Sequence, residues 1–319
     1  MRVTYLDDPW KDLTPLFTGS VVAIGVFDGL HSGHMTVLER ARELARVHQC
    51  PCCVFTFVEH PRTVLYPENP VPLLTPWPEK QALLEAQGVD ACVAAHFTEA
   101  LARMSPEEFV QRVLVDWLQV RAVVTGFNFR FGRDQAGVPA KLVALGEQAG
   151  FDVVIVEPQQ AFDGDTEWLL SSSHLRNLLR EGQVEMAAHL VKRPYALTGE
   201  VVHGDKRGRQ IGFPTANLLI DPQKLLPANG VYACWVCWAG QRRPGIVNIG
   251  VRPTFGSPRL VIEAHVFDWS GDLYGATLTL ELVSRIRAER AFPGIAELVE
   301  QITQDCDIAR ASLGTCRVV

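Results

Sequence analysis

The chain has 319 residues and a formal net charge of −6, from 30 lysines and arginines against 36 aspartates and glutamates. With 47% hydrophobic and 21% charged residues its composition is globular, which excludes disorder as the main state, and its length suits about two domains. No block of like charge offers a nucleic-acid surface, no apolar run reaches the ~20 residues that cross a bilayer, and Met1 to Trp10, with Asp7 and Asp8, is not a secretory signal. The expectation is a cytoplasmic protein without nucleic-acid or membrane partners.

In chain order, Val21 to Phe27 reads as a buried strand, and Val37, Leu38, Ala41, Leu44 and Ala45 give the next segment helical spacing. A strand at Cys53–Phe57, a helix from Glu79 to Gln87 and a strand at Ala91–Ala95 follow. Ser105-Pro106-Glu107-Glu108 is a capping box with proline at the first helical position, and it opens a helix to Leu118. A strand at Arg121–Thr125, a helix at Ala140–Ala149 and a strand at Asp152–Val156 complete five strands alternating with helices, which predicts a doubly wound parallel α/β sheet.

After Gly182 the pattern changes. Tyr195 to Leu282 is rich in β-formers with turn punctuation, so an antiparallel sheet or barrel is predicted. A final helix follows, with Ile295, Leu298, Val299, Ile302 and Cys306 on its apolar stripe. The boundary is expected between Glu181 and Pro194, giving domains 1–185 and 186–319. Of the eight cysteines, Cys234 and Cys237 form a C-x-x-C in a strand that would send them to opposite faces. Buried free thiols in a reducing compartment are expected rather than a metal or redox pair.

Gly25-Val-Phe27-Asp28-Gly29-Leu-His31-Ser-Gly33-His34 leaves a buried strand and enters a helix, where doubly wound sheets bind ligands. Helix N-terminal amides and glycines that let the backbone approach suit a phosphate, and histidines three apart can face one phosphate chain. A glycine turn with two surface histidines, or a zinc pair with Asp28, fits the same spacing. Ser171-Ser172-Ser173-His-Leu-Arg176 reads as an anion cradle at a helix start, or as a plain serine cap with a solvated arginine.

In the second half, Gly204, Gly208 and Gly212 lie among Lys206, Arg207 and Arg209 and lead into Phe213-Pro214-Thr215-Ala216-Asn217. Such a loop can wrap phosphates, and the Thr215 and Asn217 oxygens suit Mg²⁺ on a nucleotide. A hairpin loop with solvated charges is the plain alternative. Glu263 and His265 are expected on one face of a strand whose other face carries Ile262, Ala264 and Val266. Glu263 is there either a general base for a hydroxyl or an exposed surface carboxylate.

Taken together these segments resemble the bacterial bifunctional riboflavin kinase/FAD synthetases. His31-Ser-Gly33-His34 after a strand resembles the signature of the nucleotidyltransferase superfamily. Phe55-Thr-Phe-Val-Glu-His60-Pro61-Arg62, Gly126-Phe-Asn128-Phe-Arg-Phe-Gly132 and Ser171–Arg176 are similar to further motifs of the FMN adenylyltransferase module. Gly208-Arg209-Gln-Ile-Gly212-Phe-Pro214-Thr215-Ala-Asn217 resembles the riboflavin kinase signature, and Gly230-Val-Tyr232, Asn248-Ile-Gly250-Val-Arg-Pro253-Thr254, Glu263-Ala-His265 and Asp272-Leu-Tyr274-Gly275 agree with it in order.

The resemblance implies a Rossmann-like nucleotidyltransferase α/β domain, then a six-stranded β-barrel kinase domain with a terminal helix. It implies ATP and Mg²⁺, with riboflavin, FMN and FAD as substrates and product. His31 and His34 would stabilise adenylyl transfer, and Gly25, Phe27, Gly29, Asn128, Ser172, Ser173 and Arg176 would position the triphosphate. In the kinase, Glu263 would be the base, Thr215 and Asn217 would hold the metal, and Gly204, Lys206, Gly208, Arg209, Gly212 and Pro214 would surround ATP. The first half departs from its family at Val58, Glu59, Gln135, Val138, Leu169 and Ser173. Those departures keep a second reading open, a riboflavin kinase with a degenerate first domain. A non-enzymatic flavin sensor is a third, which the intact Thr215, Asn217 and Glu263 count against.

Overall fold

The apolar runs of the first half assemble into a parallel sheet. In a computed structural model describing residues 1–7, 14–158, 160–163, 166–204, 207–252 and 259–315, the strands are β1 (Arg2–Leu6), β2 (Ser20–Ile24), β3 (Cys52–Phe57), β4 (Ala91–Ala95), β5 (Val120–Gly126) and β6 (Asp152–Val156). Their order is β1-β4-β3-β2-β5-β6, with every neighbouring pair parallel. The central strands are buried on both faces, which is why their sequences are continuously apolar. Val22, Ile24, Phe55, Val93 and Val123 pack on one side, and Val21, Ala23, Val54, Cys92 and Val124 on the other.

The intervening helices are α1 (Ser32–His48), α2 (Pro61–Leu65), α3 (Trp77–Ala86), α4 (Glu99–Arg103), α5 (Pro106–Glu108) and α6 (Pro139–Ala149). The Ser105 capping box is formed, with Ser105 Oγ accepting from the Glu108 amide at 3.1 Å and Glu108 Oε2 accepting from the Ser105 amide at 2.8 Å. Beyond α5 the helix continues with π geometry over Phe109–Trp117. The sheet has one strand more than the sequence pattern predicts. β1 is short, sits at the edge and buries only Leu6, so it carries no strong apolar signal. A small antiparallel hairpin, β7 (Gln160–Asp163) with β8 (Thr166–Leu169), follows the sheet.

The chain separates into two units, Met1–Ser172 and Ser173–Val319. The helix α7 (Ser172–Arg180) begins at that division, and α8 (Val184–Val191) follows it. The second unit contains β9 (Tyr195–Val202), the single turn α9 (Arg207–Gln210), β10 (Ala216–Ile220), β11 (Gly230–Trp238), β12 (Gln241–Arg252), β13 (Arg259–Val266), β14 (Thr277–Arg287) and α10 (Ile295–Thr315). Its six strands form a closed antiparallel barrel in the order β10-β13-β12-β11-β14-β9. Tyr232, Cys234, Val247, Ile249, Ile262 and Leu280 are buried on its inner face. On its outer face Val231, Ala233, Ile246 and Phe267 pack against Cys306, Ala309 and Leu313 of α10.

Cys50, Cys52, Cys53, Cys92, Cys234, Cys237 and Cys306 are free thiols. Burial pushes Cys52 and Cys92 up to about 12 and Cys306 to about 11, so these thiols are protonated and unreactive at neutral pH. Cys316 lies outside the described residues.

Among the described residues, the most buried ion pair of α10 joins it to β14, and Arg310 of α10 makes another with Asp268, just beyond β13. Arg287 Nε lies 3.0 Å from both Asp305 oxygens and Nη2 lies 2.8 Å from Oδ2, while Asp305 is 0% exposed. Removing Arg287 strands the buried Asp305 carboxylate. Arg287→Met is therefore expected to lower stability by about 3–5 kcal/mol, read from the shift of the urea unfolding curve of the second unit.

Candidate active sites

The first candidate site lies at the carboxyl ends of β2 and β5. The connections run outward in opposite directions from this pair, so the topological switch point of the sheet falls there. The turn from β2 into α1 cannot hold its shape by its own backbone bonds. Phe27, Gly29 and Leu30 all have positive φ, at 51°, 84° and 35°. Gly29 has no room for a side chain, because a Cβ there would lie 2.6 Å from Leu74 Cδ1.

Asp28 pins this turn. Its carboxylate, 1% exposed, accepts from the Leu74 amide at 3.1 Å, the Thr75 amide at 2.9 Å and Thr75 Oγ1 at 3.2 Å. Its carbonyl accepts from Ser172 Oγ, in the last residue of the first unit, at 2.8 Å. Buried Lys80 supports the same segment from below, donating to the Val26 carbonyl at 3.1 Å and to the Phe57 carbonyl at 2.7 Å. Desolvation lowers the Lys80 ammonium from its ordinary range to about 8, and nearby Asp28, Cys92 and Glu59 pull it partly back up.

The pinned turn delivers His31 and His34. His31 caps α1, its Nδ1 accepting from the His34 amide at 3.4 Å. The two rings stack with centroids 3.7 Å apart, and the Phe27 ring meets His34 edge-on at 5.3 Å. Both Asp28 oxygens accept from Leu74 or Thr75, and no group of three metal-ligating side chains is found among the described residues. The Phe27 side chain is buried against Gly25, which leaves only its main chain for a ligand.

Asn128 is exposed just beyond β5, with its Oδ1 over Gly126. Ser173 is exposed and Arg176 is buried, both on α7 within the second unit. Of the positions that depart from the family pattern, Gln135 and Val138 are exposed, and Glu59 Oε1 lies 2.6 Å from His96 Nδ1.

The second candidate site lies on the outer face of the barrel. Asn217 on β10 stands directly opposite Glu263 on β13, and Glu263 stands opposite Asn248 on β12. Opposed residues in a ladder project from the same face, so the three polar side chains form a row across three strands. The predicted alternation on β13 holds, with Ile262, Ala264 and Val266 buried and Glu263 and His265 half-exposed.

The glycine loop folds onto this row. A Cβ on Gly204 would lie 2.3 Å from Asn217 Nδ2, and one on Gly208 would lie 2.3 Å from the Phe213 carbonyl and 3.2 Å from Thr215 Oγ1. The two glycines thus allow the loop to lie against Asn217 and Thr215. Gly212, at φ 88°, and Pro214 complete the return to β10, and Arg209 is exposed on α9. Lys206, Pro253 and Thr254 lie outside the described residues. Asn248 opens a segment that agrees with the kinase family in sequence, but it is the register of β12 and β13 that sets it in line with Glu263.

Each of the two folds carries a candidate phosphate site, a combination that suits a nucleotide-dependent transferase. Residues 14–167 match the FAD synthetase family model and residues 191–313 match the riboflavin kinase model. The segment Ser172 to Arg176 falls between the two matches. The chain is 38% identical to the bifunctional riboflavin kinase/FMN adenylyltransferase of Bacillus subtilis over 310 residues, 96% of each chain. It is 36% identical to that of Escherichia coli K12 over 297 residues, 93% of each. It also resembles a solved structure titled as a macrolide-efflux protein from Streptococcus pneumoniae, at 29% identity and a TM-score of 0.86, covering 97% of this chain and 99% of that one. The chain belongs to the bifunctional riboflavin kinase/FMN adenylyltransferase family, and it is an enzyme with both of that family's domains. That both domains match in one chain favours the two-activity reading over a kinase alone. No helix among the described residues is long and apolar enough to cross a membrane.

Two outcomes follow from these geometries. Gly208→Ala would force the loop off the Phe213 carbonyl and Thr215. The expected result is a fall of at least about tenfold in kcat/KM for ATP in FMN formation, with FAD formation from supplied FMN unchanged. For Lys80, the folded pKa lies below the unfolded one, so between about 8 and 10.5 the unfolded chain binds more protons and this group makes stability rise with pH. The buried thiols pull the opposite way above pH 9, so the difference between the wild type and Lys80→Met isolates the effect. That difference should change by on the order of 3 kcal/mol from pH 7 to pH 10.5 in urea titrations.

Proposed function

We propose that the chain converts riboflavin to FAD in two steps, each with its own site and its own ATP. In the first, the riboflavin 5′-hydroxyl oxygen attacks the γ-phosphorus of ATP. The bond to the β,γ-bridging oxygen breaks, ADP leaves and FMN is formed. In the second, an FMN phosphate oxygen attacks the α-phosphorus of a second ATP, and pyrophosphate leaves as FAD forms. Residues 1–185 are assigned to the second step and residues 186–319 to the first.

The observation that carries the kinase reading is the placement of Glu263 opposite Asn217 under a glycine loop. Glu263 accepts the proton from the attacking hydroxyl. Gly204, Lys206, Gly208, Arg209, Gly212 and Pro214 form the loop that wraps the triphosphate. The residues also fit a magnesium ion. Thr215 offers a hydroxyl and Asn217 an amide oxygen, hard neutral ligands beside the phosphates, and the ion would neutralise charge on the transferring phosphoryl group. Asn217 and Glu263 thereby set metal-bound nucleotide and base on one row, so positioning supplies most of the rate.

For adenylyl transfer, the stacked His31 and His34 at the start of α1 support a site that stabilises charge on the α-phosphate and on leaving pyrophosphate. Amides from Gly25 to Gly29 and the side chains of Asn128 and Ser172 line the same end of the sheet, and Ser173 and Arg176 continue the motif along α7. No covalent enzyme intermediate is needed. The free, unreactive thiols support a reducing, cytoplasmic location.

The test is a timed separation of riboflavin, FMN and FAD after incubation with ATP and magnesium. The wild type should form FMN first and FAD second. Glu263→Gln should lose FMN formation by at least about 100-fold while converting supplied FMN to FAD normally. The paired His31→Ala, His34→Ala variant should accumulate FMN and make no FAD. Full FMN yield from Glu263→Gln, or unchanged FAD yield from the histidine pair, would overturn the corresponding assignment.

A further inference from the structure

The β10–β13 ladder pairs Asn217 with Glu263 and Ala216 with Ala264, and there it ends. The next opposed position would set Thr215 against His265, but the chain leaves the sheet at that point. Pro214 has no amide hydrogen, so the ladder cannot continue through it. The His265 side chain takes over. Its Nδ1 lies 2.8 Å from the Pro214 carbonyl oxygen. A carbonyl can only accept, so Nδ1 carries the hydrogen.

The ring that makes this bond is held from both sides. Phe213 meets it edge-on at 5.6 Å and Phe267 at 5.8 Å. Phe267 is 1% exposed and belongs to the apolar cluster under α10, and Phe213 packs against the same cluster. His265 is therefore an oriented donor, in place before any ligand arrives. It lies two residues from Glu263 on the same face of β13, and the carbonyl it holds belongs to the residue just before Thr215.

We propose that His265 is a positioning residue of the kinase. Its Nδ1–H holds the Pro214 carbonyl and so fixes Thr215 relative to Glu263, setting the distance between the bound nucleotide and the base. This rests on the kinase site described above. His265 touches no substrate, and its effect is exerted through the Pro214–Thr215 peptide.

Leucine at 265 fills the space between Phe213 and Phe267 without a donor, whereas the side-chain nitrogen of asparagine falls close to where Nδ1 stands. In the full-length enzyme, His265→Leu should lower kcat/KM for ATP in FMN formation by about tenfold, the scale of one lost hydrogen bond. The KM for riboflavin should stay within about twofold, and His265→Asn should recover activity to within about threefold of the wild type. FAD formation from supplied FMN, measured on the same samples, should be unchanged in both. Wild-type kinetics in His265→Leu, a loss confined to riboflavin KM, or an Asn variant no better than Leu would each overturn the proposal. Glu263→Gln assayed alongside separates the two readings. If it keeps full activity the kinase site itself is misplaced, and if it is inactive while His265→Leu is normal only the role of His265 falls.

Discussion

Both halves of this enzyme hold a loop whose shape depends on contacts from outside it as well as on its own backbone bonds. Phosphate binding needs amides turned outward and room for the ligand, and both candidate sites lie where the chain leaves regular structure. In the first half, Phe27 and Leu30 adopt positive φ without being glycine, at a cost of about 1–2 kcal/mol each. That cost is offset from outside the loop. The Asp28 carboxylate collects hydrogen bonds from Leu74 and Thr75, Lys80 bridges the Val26 and Phe57 carbonyls, and Thr56 Oγ1 donates to the Val26 carbonyl at 3.0 Å. The barrel uses the same device with different parts. Gly204 and Gly208 let the loop lie on Asn217 and Thr215, and His265 takes up the Pro214 carbonyl where the ladder ends.

The two folds offer these loops different kinds of opening. A parallel sheet covered on both faces has its opening at the carboxyl ends of its strands, and the switch point between β2 and β5 is where neighbouring loops diverge. A closed barrel has no such edge, and its interior here is filled by Tyr232, Cys234, Val247 and Ile249. Its free surface is the part of the outer face that α8 and α10 leave uncovered. The row of Asn217, Glu263 and Asn248 runs across it, and the register of β10, β12 and β13 sets their spacing. A ladder places side chains more rigidly than a loop can, which suits the role proposed for Glu263 as a base.

The buried lysine and the buried ion pair show two ways of keeping charge inside. Lys80 is held by two carbonyls with Asp28 nearby, and desolvation still lowers its affinity for a proton. Asp305 is saturated by Arg287 and also accepts from Gln301 Nε2 at 2.7 Å. Neither arrangement is a source of large net stability, since desolvation cancels much of the attraction. Each fixes one arrangement of its surroundings, the end of β2 in one case and the seat of α10 in the other.

Much of this was legible along the chain. Continuous apolar runs marked the central parallel strands, the capping box at Ser105 and Glu108 was local chemistry, and the alternation around Glu263 told which residues face outward. The motif residues His31, His34, Thr215 and Asn217, proposed to act on phosphates, were visible because each pair sits at short spacing along the chain. Four things were not visible. β1 is an edge strand with one buried side chain, so period and hydropathy do not reveal it. The service of Asp28 to Leu74 and Thr75, the burial of Lys80 and the alignment of Asn248 with Glu263 join residues distant in sequence. Spacing within a segment is set by local geometry and can be read in one dimension. Which segment lies beside which is set by strand order and register, and those are decided only when the whole core packs.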